Sequence, residues 1–476
     1  MKTIDEDIFD LLHKAVNKGL ELGANFVEAR YDDMSLMTVN LLNERIREAS
    51  TKLRKGFGIM AYFDGSPGFS FTPERNWESI HTTVENAVKI AKATAPRNKV
   101  KMEFERQKPI VDKQFTEVKK HPKNVEFDEK LSMLKRGVKA IEEKIQPSST
   151  TGLYGELFGD KYFVNSEESE IFWQPLIVDL RIQAISMAEG KRANGIDGVG
   201  SSLGLELFDK EEYLPETIGS NAGKYCKEQS EAKSIKAGKQ KALIGWRLGG
   251  VLAHESFGHL SESDFVVTGM SPLSDKIGEV LGTEMATIID EGTIPRETNG
   301  LWLPYDDQGI KTDKTVLLEK GILKGYLHNR GTAKKMNAEP TGNSRAITFM
   351  YPPIPRMKNT YFAPGDLSLE EALEQLKDGF YAVSSSGGQV GLDGNFLFNC
   401  NRGYWVENGE IKYAVRDSSL SGNILELIKH VQGVTKDFNI MTGYFGGCGK
   451  SGQFPLPVGL GGAELLVDEV LVGGAK

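Results

Sequence analysis

Two histidines five residues apart, with a glutamate directly after the first, constrain this chain more than any other stretch: His254-Glu255-Ser256-Phe257-Gly258-His259. Two imidazoles with a carboxylate beside one of them suit a catalytic zinc site. Neutral imidazole nitrogen binds zinc well, and a nearby carboxylate can take a proton from water that the metal acidifies. On an ideal α-helix a spacing of five turns two side chains about 140° apart, whereas a spacing of four sets them on one face. Either the pair shares no ion, or the helix ends or bulges before His259. Gly258 favours the second reading, because glycine tolerates departures from α geometry, a π-type bulge among them.

A catalytic zinc site normally needs a third protein ligand and one open position. The other histidines, His13, His81, His121, His328 and His430, stand at no telling spacing from a partner. Cys448 lies in Gly446-Gly447-Cys448-Gly449-Lys450. There the backbone can come close to another group and a thiolate can reach a metal; the alternative is a small residue tolerated in a turn. Glu255 is either a general base or a solvated helix carboxylate. Glu262 and Asp264 either hold the imidazoles in one tautomer or are surface acids following the helix. Gly387, Gly388 and Gln389, in a Gly/Ser-rich loop, either wrap a substrate backbone or form a turn, and Arg345 either binds a substrate carboxylate or pairs structurally.

Around this motif the periodicity predicts an α+β chain. An amphipathic helix over Asp5–Leu22 precedes strands at Phe26–Tyr31, Met34–Leu42, Gly56–Phe63 and Gly68–Phe71. A second helix is expected from Thr72-Pro73-Glu74 to Pro96. The polar stretch between Pro96 and Asp128 reads as a linker or loose domain edge, and a third helix starts at Asp128. Strand-like runs at Phe158–Asn165, Glu170–Trp173 and Leu176–Met187 follow, then a polar helical stretch at Ser220–Gly238. Beyond it lie Lys241–Ile244, a helix from Arg247 to His259, and short strands at 286–290, 315–319, 322–328, 379–384, 395–400, 403–407, 411–415 and 463–467. Two domains are expected, a mixed α+β domain over 1–225, with a possible subdivision near 97–127, and a C-terminal metal-binding domain over 226–476 dominated by antiparallel and mixed sheet, with the metal motif on a helix.

Composition narrows the function classes. The chain has 476 residues, 39% hydrophobic and 26% charged, a globular balance with no run of about 18 apolar residues. Its net charge of −8, with basic residues scattered among acids, gives no nucleic-acid surface. Cys226, Cys400 and Cys448 are too few and too dispersed for a disulfide scaffold. The segment Met1-Lys2-Thr3-Ile4-Asp5-Glu6-Asp7 lacks the apolar core of a signal peptide. The expected location is the cytoplasm, away from membranes.

The chain resembles the TldD/PmbA family of zinc metallopeptidases, in its TldD-like branch, over nearly its whole length. The resemblance is carried by the His254–His259 motif with Glu262 and Asp264, by Tyr305-Asp306-Asp307-Gln308-Gly309, Gly325-Tyr326-Leu327, Glu339-Pro340-Thr341-Gly342-Asn343 and Pro355-Arg356-Met357-Lys358-Asn359-Thr360. It continues in Ser385-Ser386-Gly387-Gly388-Gln389-Val390 and in Cys448-Gly449-Lys450-Ser451-Gly452-Gln453 with Pro457-Val458-Gly459. It implies that His254, His259 and Cys448 bind a catalytic zinc ion (Zn2+) and that Glu255 activates water. It further implies a homodimer, or a heterodimer with a PmbA-like subunit, that holds unfolded peptides or flexible protein segments by their backbone beside a strand, with little regard to sequence. The segment Asn399–Gly403 departs from the family's pattern. The rival expectation is a peptide-binding or maturation partner with a structural metal and no cleavage of its own; a metal-dependent hydrolase of another small amide also fits the residues.

Overall fold

The computed structural model describes residues 4–98, 101–188 and 191–474. The first three residues of the acidic N-terminal segment lie outside it. The first half contains α1 (Glu6–Glu21), β1 (Phe26–Leu42), β2 (Arg45–Phe63), β3 (Ser66–Thr72), α2 (Trp77–Thr94), β4 (Val111–Gln114), α3 (Phe127–Ala140), β5 (Ser149–Asn165), β6 (Glu170–Trp173), β7 (Leu176–Ala188), β8 (Lys191–Ser201) and α4 (Pro215–Glu231). The strands form one sheet in the order β3-β2-β1-β5. Beyond β5 its edge is shared: residues 149–158 pair with β7, which pairs with β8, while residues 161–164 pair with β6.

Alternation along β1 explains how the sheet is used. Val27, Ala29 and Tyr31 pack with Ile8 and Leu12 of α1 and Ile80 and Val84 of α2, while Val39 and Leu41 join a core with Leu134 of α3 and Ile218 of α4. The intervening Glu28, Arg30 and Asp32 point to the opposite face, yet they too are buried. They meet the second half of the chain there. Arg30 lies 3.6 Å from Asp307 and donates to the carbonyl of Tyr351, and Gln308 donates to Glu28 at 3.3 Å.

Several boundaries differ from the sequence reading. The two expected runs in 26–42 are one strand, because Asp32 and Asp33, read as a break, find partners across the sheet. The second helix starts at Trp77, where the side chain of Asn76 accepts from Ser79 N, while Thr72 ends β3. The 97–127 stretch contributes β4, a short edge strand parallel to β6. Gly-rich β8 carries too few apolar residues to show a strand pattern, and pairing along β7 makes it one.

In the second half, strands Gly379–Val390, Gly238–Ile244, Leu465–Gly473, Ser418–Asn423 and Asn395–Glu407 pair in that order, and the last pairs back to the first, closing a ring. A six-stranded sheet includes Ile288–Glu291, Asn359–Phe362 and Gly459–Gly462. Of the strand expected at 322–328 only Ile322–Leu323 forms. No helix among the described residues is long and apolar enough to cross a membrane.

Candidate metal centre

The strand Gly238–Ile244 turns at Gly245 into the helix Trp246–Val251, which continues as a π-helix over Leu252–Gly258. The N–H of His259 donates to the carbonyl of His254, five residues back. In an α-helix the hydrogen-bonded residue lies four on; in a π turn it lies five on. The π turn therefore does for a spacing of five what the α turn does for four, and the two imidazole centroids come within 5.3 Å at an interplanar angle of 76°.

Packing holds this helix in place. A Cβ at position 250 would lie 2.2 Å from Gly461 N, so the helix is pressed directly onto the Gly459–Gly462 strand. Gly258 stays in the helical run, and what excludes a side chain there is Met357, whose Sδ would lie 2.0 Å from an added Cβ.

Cys448 opens a two-strand hairpin, Cys448–Lys450 with Gln453–Leu456. It is fully buried, and its Sγ lies 3.5 Å from Nε2 of His259. One donor atom from each of His254, His259 and Cys448 lies within 4.8 Å of the others. Neither ring nitrogen of the buried His254 has a hydrogen-bond partner among the described residues. Leaving such a group unsatisfied in the interior is costly. Glu255 stands at the rim, its side chain 38% exposed and its Oε2 3.7 Å from Nε2 of His259.

Glu262 is fully buried, and its Oε2 accepts from Nδ1 of His259 at 2.9 Å, which directs Nε2 toward Cys448. Lys450 holds Glu262 in turn at 3.1 Å, and also reaches Asp264 at 2.7 Å and the carbonyl of Pro355 at 2.9 Å. Burial pushes the His259 pKa down, but the Glu262 carboxylate and the Cys448 sulfur outweigh it and hold it well above its usual value. Burial pushes the Cys448 thiol up, but the two imidazoles outweigh it and bring it down to about 5. The cluster thus favours a thiolate, the form of cysteine that binds metals. Lys450 is legible in the sequence only as a basic residue two places after Cys448.

The remaining candidates sit elsewhere. Arg345 is buried and donates to the carbonyls of Met357 at 2.5 Å and Pro457 at 2.7 Å, so its guanidinium ties two loops together. Gly388 and Gln389 are ladder residues opposite Phe398 and Leu397, and Gly387 lies in the irregularity just before them with a φ of +111°.

The family model described as the PmbA/TldA metallopeptidase C-terminal domain matches residues 237–474, the model of domain 1 matches 27–91, and that of the central domain matches 120–227. The chain belongs to the PmbA/TldA (TldD/PmbA) metallopeptidase family. Metalloprotease MJ0996 of Methanocaldococcus jannaschii is 35% identical over 449 residues, 94% of this chain and 96% of that one. The zinc metalloprotease TldD homolog of Saccharolobus solfataricus is 28% identical over 473 residues, covering 97% and 100% of the two chains. The solved structure of TldE from Thermococcus kodakarensis shares the fold, with a TM-score of 0.77 at 20% identity over 98% of this chain and 100% of its own. As a PmbA/TldA member the protein is a metallopeptidase, an enzyme that hydrolyses peptide bonds.

Proposed function

We propose that this metallopeptidase is zinc-dependent, with His254, His259 and Cys448 as the metal ligands and Glu255 as the proton carrier, and that it cleaves unfolded peptides or flexible protein segments. The observation that carries the reading is the convergence of three donor atoms within 4.8 Å, on a buried histidine whose two ring nitrogens are otherwise unpartnered. Two imidazoles and a thiolate form a donor set that zinc takes readily while keeping a fourth position open. The name of the Saccharolobus relative supports the same metal. When bound, zinc supplies Lewis acidity toward a scissile carbonyl and makes water a usable nucleophile at neutral pH.

Glu255 takes the proton that water loses on attack and returns it to the departing amine. Its half-exposed position beside His259 supports that role, because it can face both the cluster and an incoming peptide. Glu262 keeps His259 in the tautomer whose Nε2 faces the cluster, and Lys450 keeps Glu262 in place. Recognition through the main chain and association as a homodimer or with a PmbA-like subunit rest on the family resemblance, and the shared fold of TldE supports the latter; division into domains at 1–225 and 226–476 rests on the periodicity of the sequence. Three unbonded cysteines support a reducing, cytoplasmic setting.

The test is incubation of the purified chain with an unfolded polypeptide, with and without a chelator, followed by mass spectrometry. New termini are expected only without chelator. Fragments that form equally in its presence overturn the zinc reading.

A further inference from the structure

The helix that carries Glu255 begins beside a cavity of about 220 Å³ lying between the two halves of the chain, lined in part by Arg181, Asp197, Arg247, Ser384, Asn401 and Arg402. Arg247 and Val251, four residues apart in the α-helical part of that helix, face the cavity, and Glu255 lies in the π-helical stretch that continues it. A second wall is Phe445-Gly446-Gly447, which runs straight into Cys448. Buried Asp179 fixes this wall by accepting from Tyr444 N at 2.9 Å and Phe445 N at 3.0 Å. The cavity thus adjoins both chain segments that build the metal centre.

Its cations are unevenly matched. Arg181 is held by both oxygens of Asp179, at 3.1 and 2.9 Å. Arg247 donates to the carbonyl of Gly198 and lies 3.6 Å from Asp197. Arg402 lies 3.8 Å over the ring of Tyr225, donates through Nε to Tyr404 Oη at 3.2 Å, and makes no ion pair with a described residue. Glu228 accepts from the same tyrosine hydroxyl at 2.6 Å. A guanidinium stacked on an aromatic ring, with its terminal nitrogens uncommitted to a carboxylate, is pre-organised to take one.

We propose that this cavity is a subsite for a carboxylate of the peptide being cleaved, bound by Arg402 with Arg247. Glu255 lies eight positions after Arg247, at most about 12 Å along the helix at the α-helical rise. An extended peptide covers that in about three to four residues, so the carboxylate sits about that far from the scissile bond. The subsite adds a preference on top of main-chain binding, and it rests on the peptidase reading above. The carboxylate has two sources, an acidic side chain or the free C-terminus of the peptide.

The test uses one fluorescent peptide in four forms: Glu or Gln at the third position from the mapped cleavage site, each with a free or amidated C-terminus. Cleavage rates are measured on the zinc-loaded chain, and binding by fluorescence anisotropy on a Glu255→Gln variant. At least one carboxylate form is expected to bind about tenfold more tightly than the doubly neutral form, and to show the higher kcat/KM. The form that gains identifies the source. Arg402→Gln should collapse the ratio toward one, and Arg402→Lys should retain part of it. Equal binding of all four forms by the unsubstituted cavity overturns the subsite, as does a ratio that survives Arg402→Gln. If no form is cleaved but the binding ratio stands, the peptidase reading fails and the carboxylate site does not.

Discussion

Glu262 Oε2 lies 2.9 Å from Nδ1 of His259, inside the protein and with no solvent contact. A carboxylate at that nitrogen fixes the tautomer and orientation of a metal-binding imidazole and raises its basicity. Glu262→Gln keeps an acceptor of the same size but removes the charge that also holds Lys450. Zinc affinity is expected to fall about 10- to 100-fold. Competition with a chromogenic chelator measures it, and an unchanged dissociation constant would show that Glu262 serves packing alone.

Replacing Glu255 separates chemistry from metal binding. Glu255→Gln should retain about one zinc per chain and lose peptide cleavage by about 10²- to 10⁴-fold, the usual range for removing a general base. Metal analysis and a peptide assay on the same sample check both halves. Full activity would remove Glu255 from the mechanism.

Cys448 tests the third ligand. Its thiol is held at about 5 by the two imidazoles, whereas a serine hydroxyl stays protonated at neutral pH and is a poor zinc ligand. Cys448→Ser should purify with little zinc. Zinc content equal to that of the parent chain refutes the assignment.

The π turn should not accept a methyl group at Gly258. An added Cβ would lie 2.0 Å from Sδ of Met357, so Met357 or the turn must move. Overpacking of this kind costs about 1–3 kcal/mol, and displacement of the turn also separates His259 from His254. Gly258→Ala is expected to lower both Tm and zinc content, and Met357→Ala in the same chain to recover part of the zinc. Unchanged values in the single variant would mean that the turn has slack.

Between the two halves, burial pushes the Glu28 carboxyl from 4.5 up to about 7, with Arg330, Gln308 and Arg30 pulling only partly the other way. In that window the native state keeps a proton that the unfolded chain has lost, so this group's contribution to stability falls as pH rises from about 4.5 to about 7 and stays low above it. Glu28→Gln removes the titration. Its Tm relative to the parent should therefore climb across that interval and level off above pH 7. A difference that does not change with pH removes Glu28 from the pH dependence.

Local patterns were legible wherever one element could satisfy itself. The apolar spacing in α1, the short strand Glu170–Trp173 and the distortion demanded by His254 and His259 all follow from backbone periodicity. The register of β8, the shared edge of β5 and the charged but buried face of β1 were not legible, because each depends on a partner strand or on the second half of the chain.

The sequence by itself determined that a pair of histidines five apart could meet only through a departure from α geometry, and it marked Cys448 as a thiol in a glycine-rich loop. Only the tertiary structure decided that this thiol closes on His259 across 189 residues, and that Lys450, Glu262 and Met357 hold the result. The reason is physical: hydrogen bonding within a helix is local and written in spacing. The meeting of a helix with a distant hairpin is fixed by strand pairing and by close backbone packing such as Gly250 on Gly461.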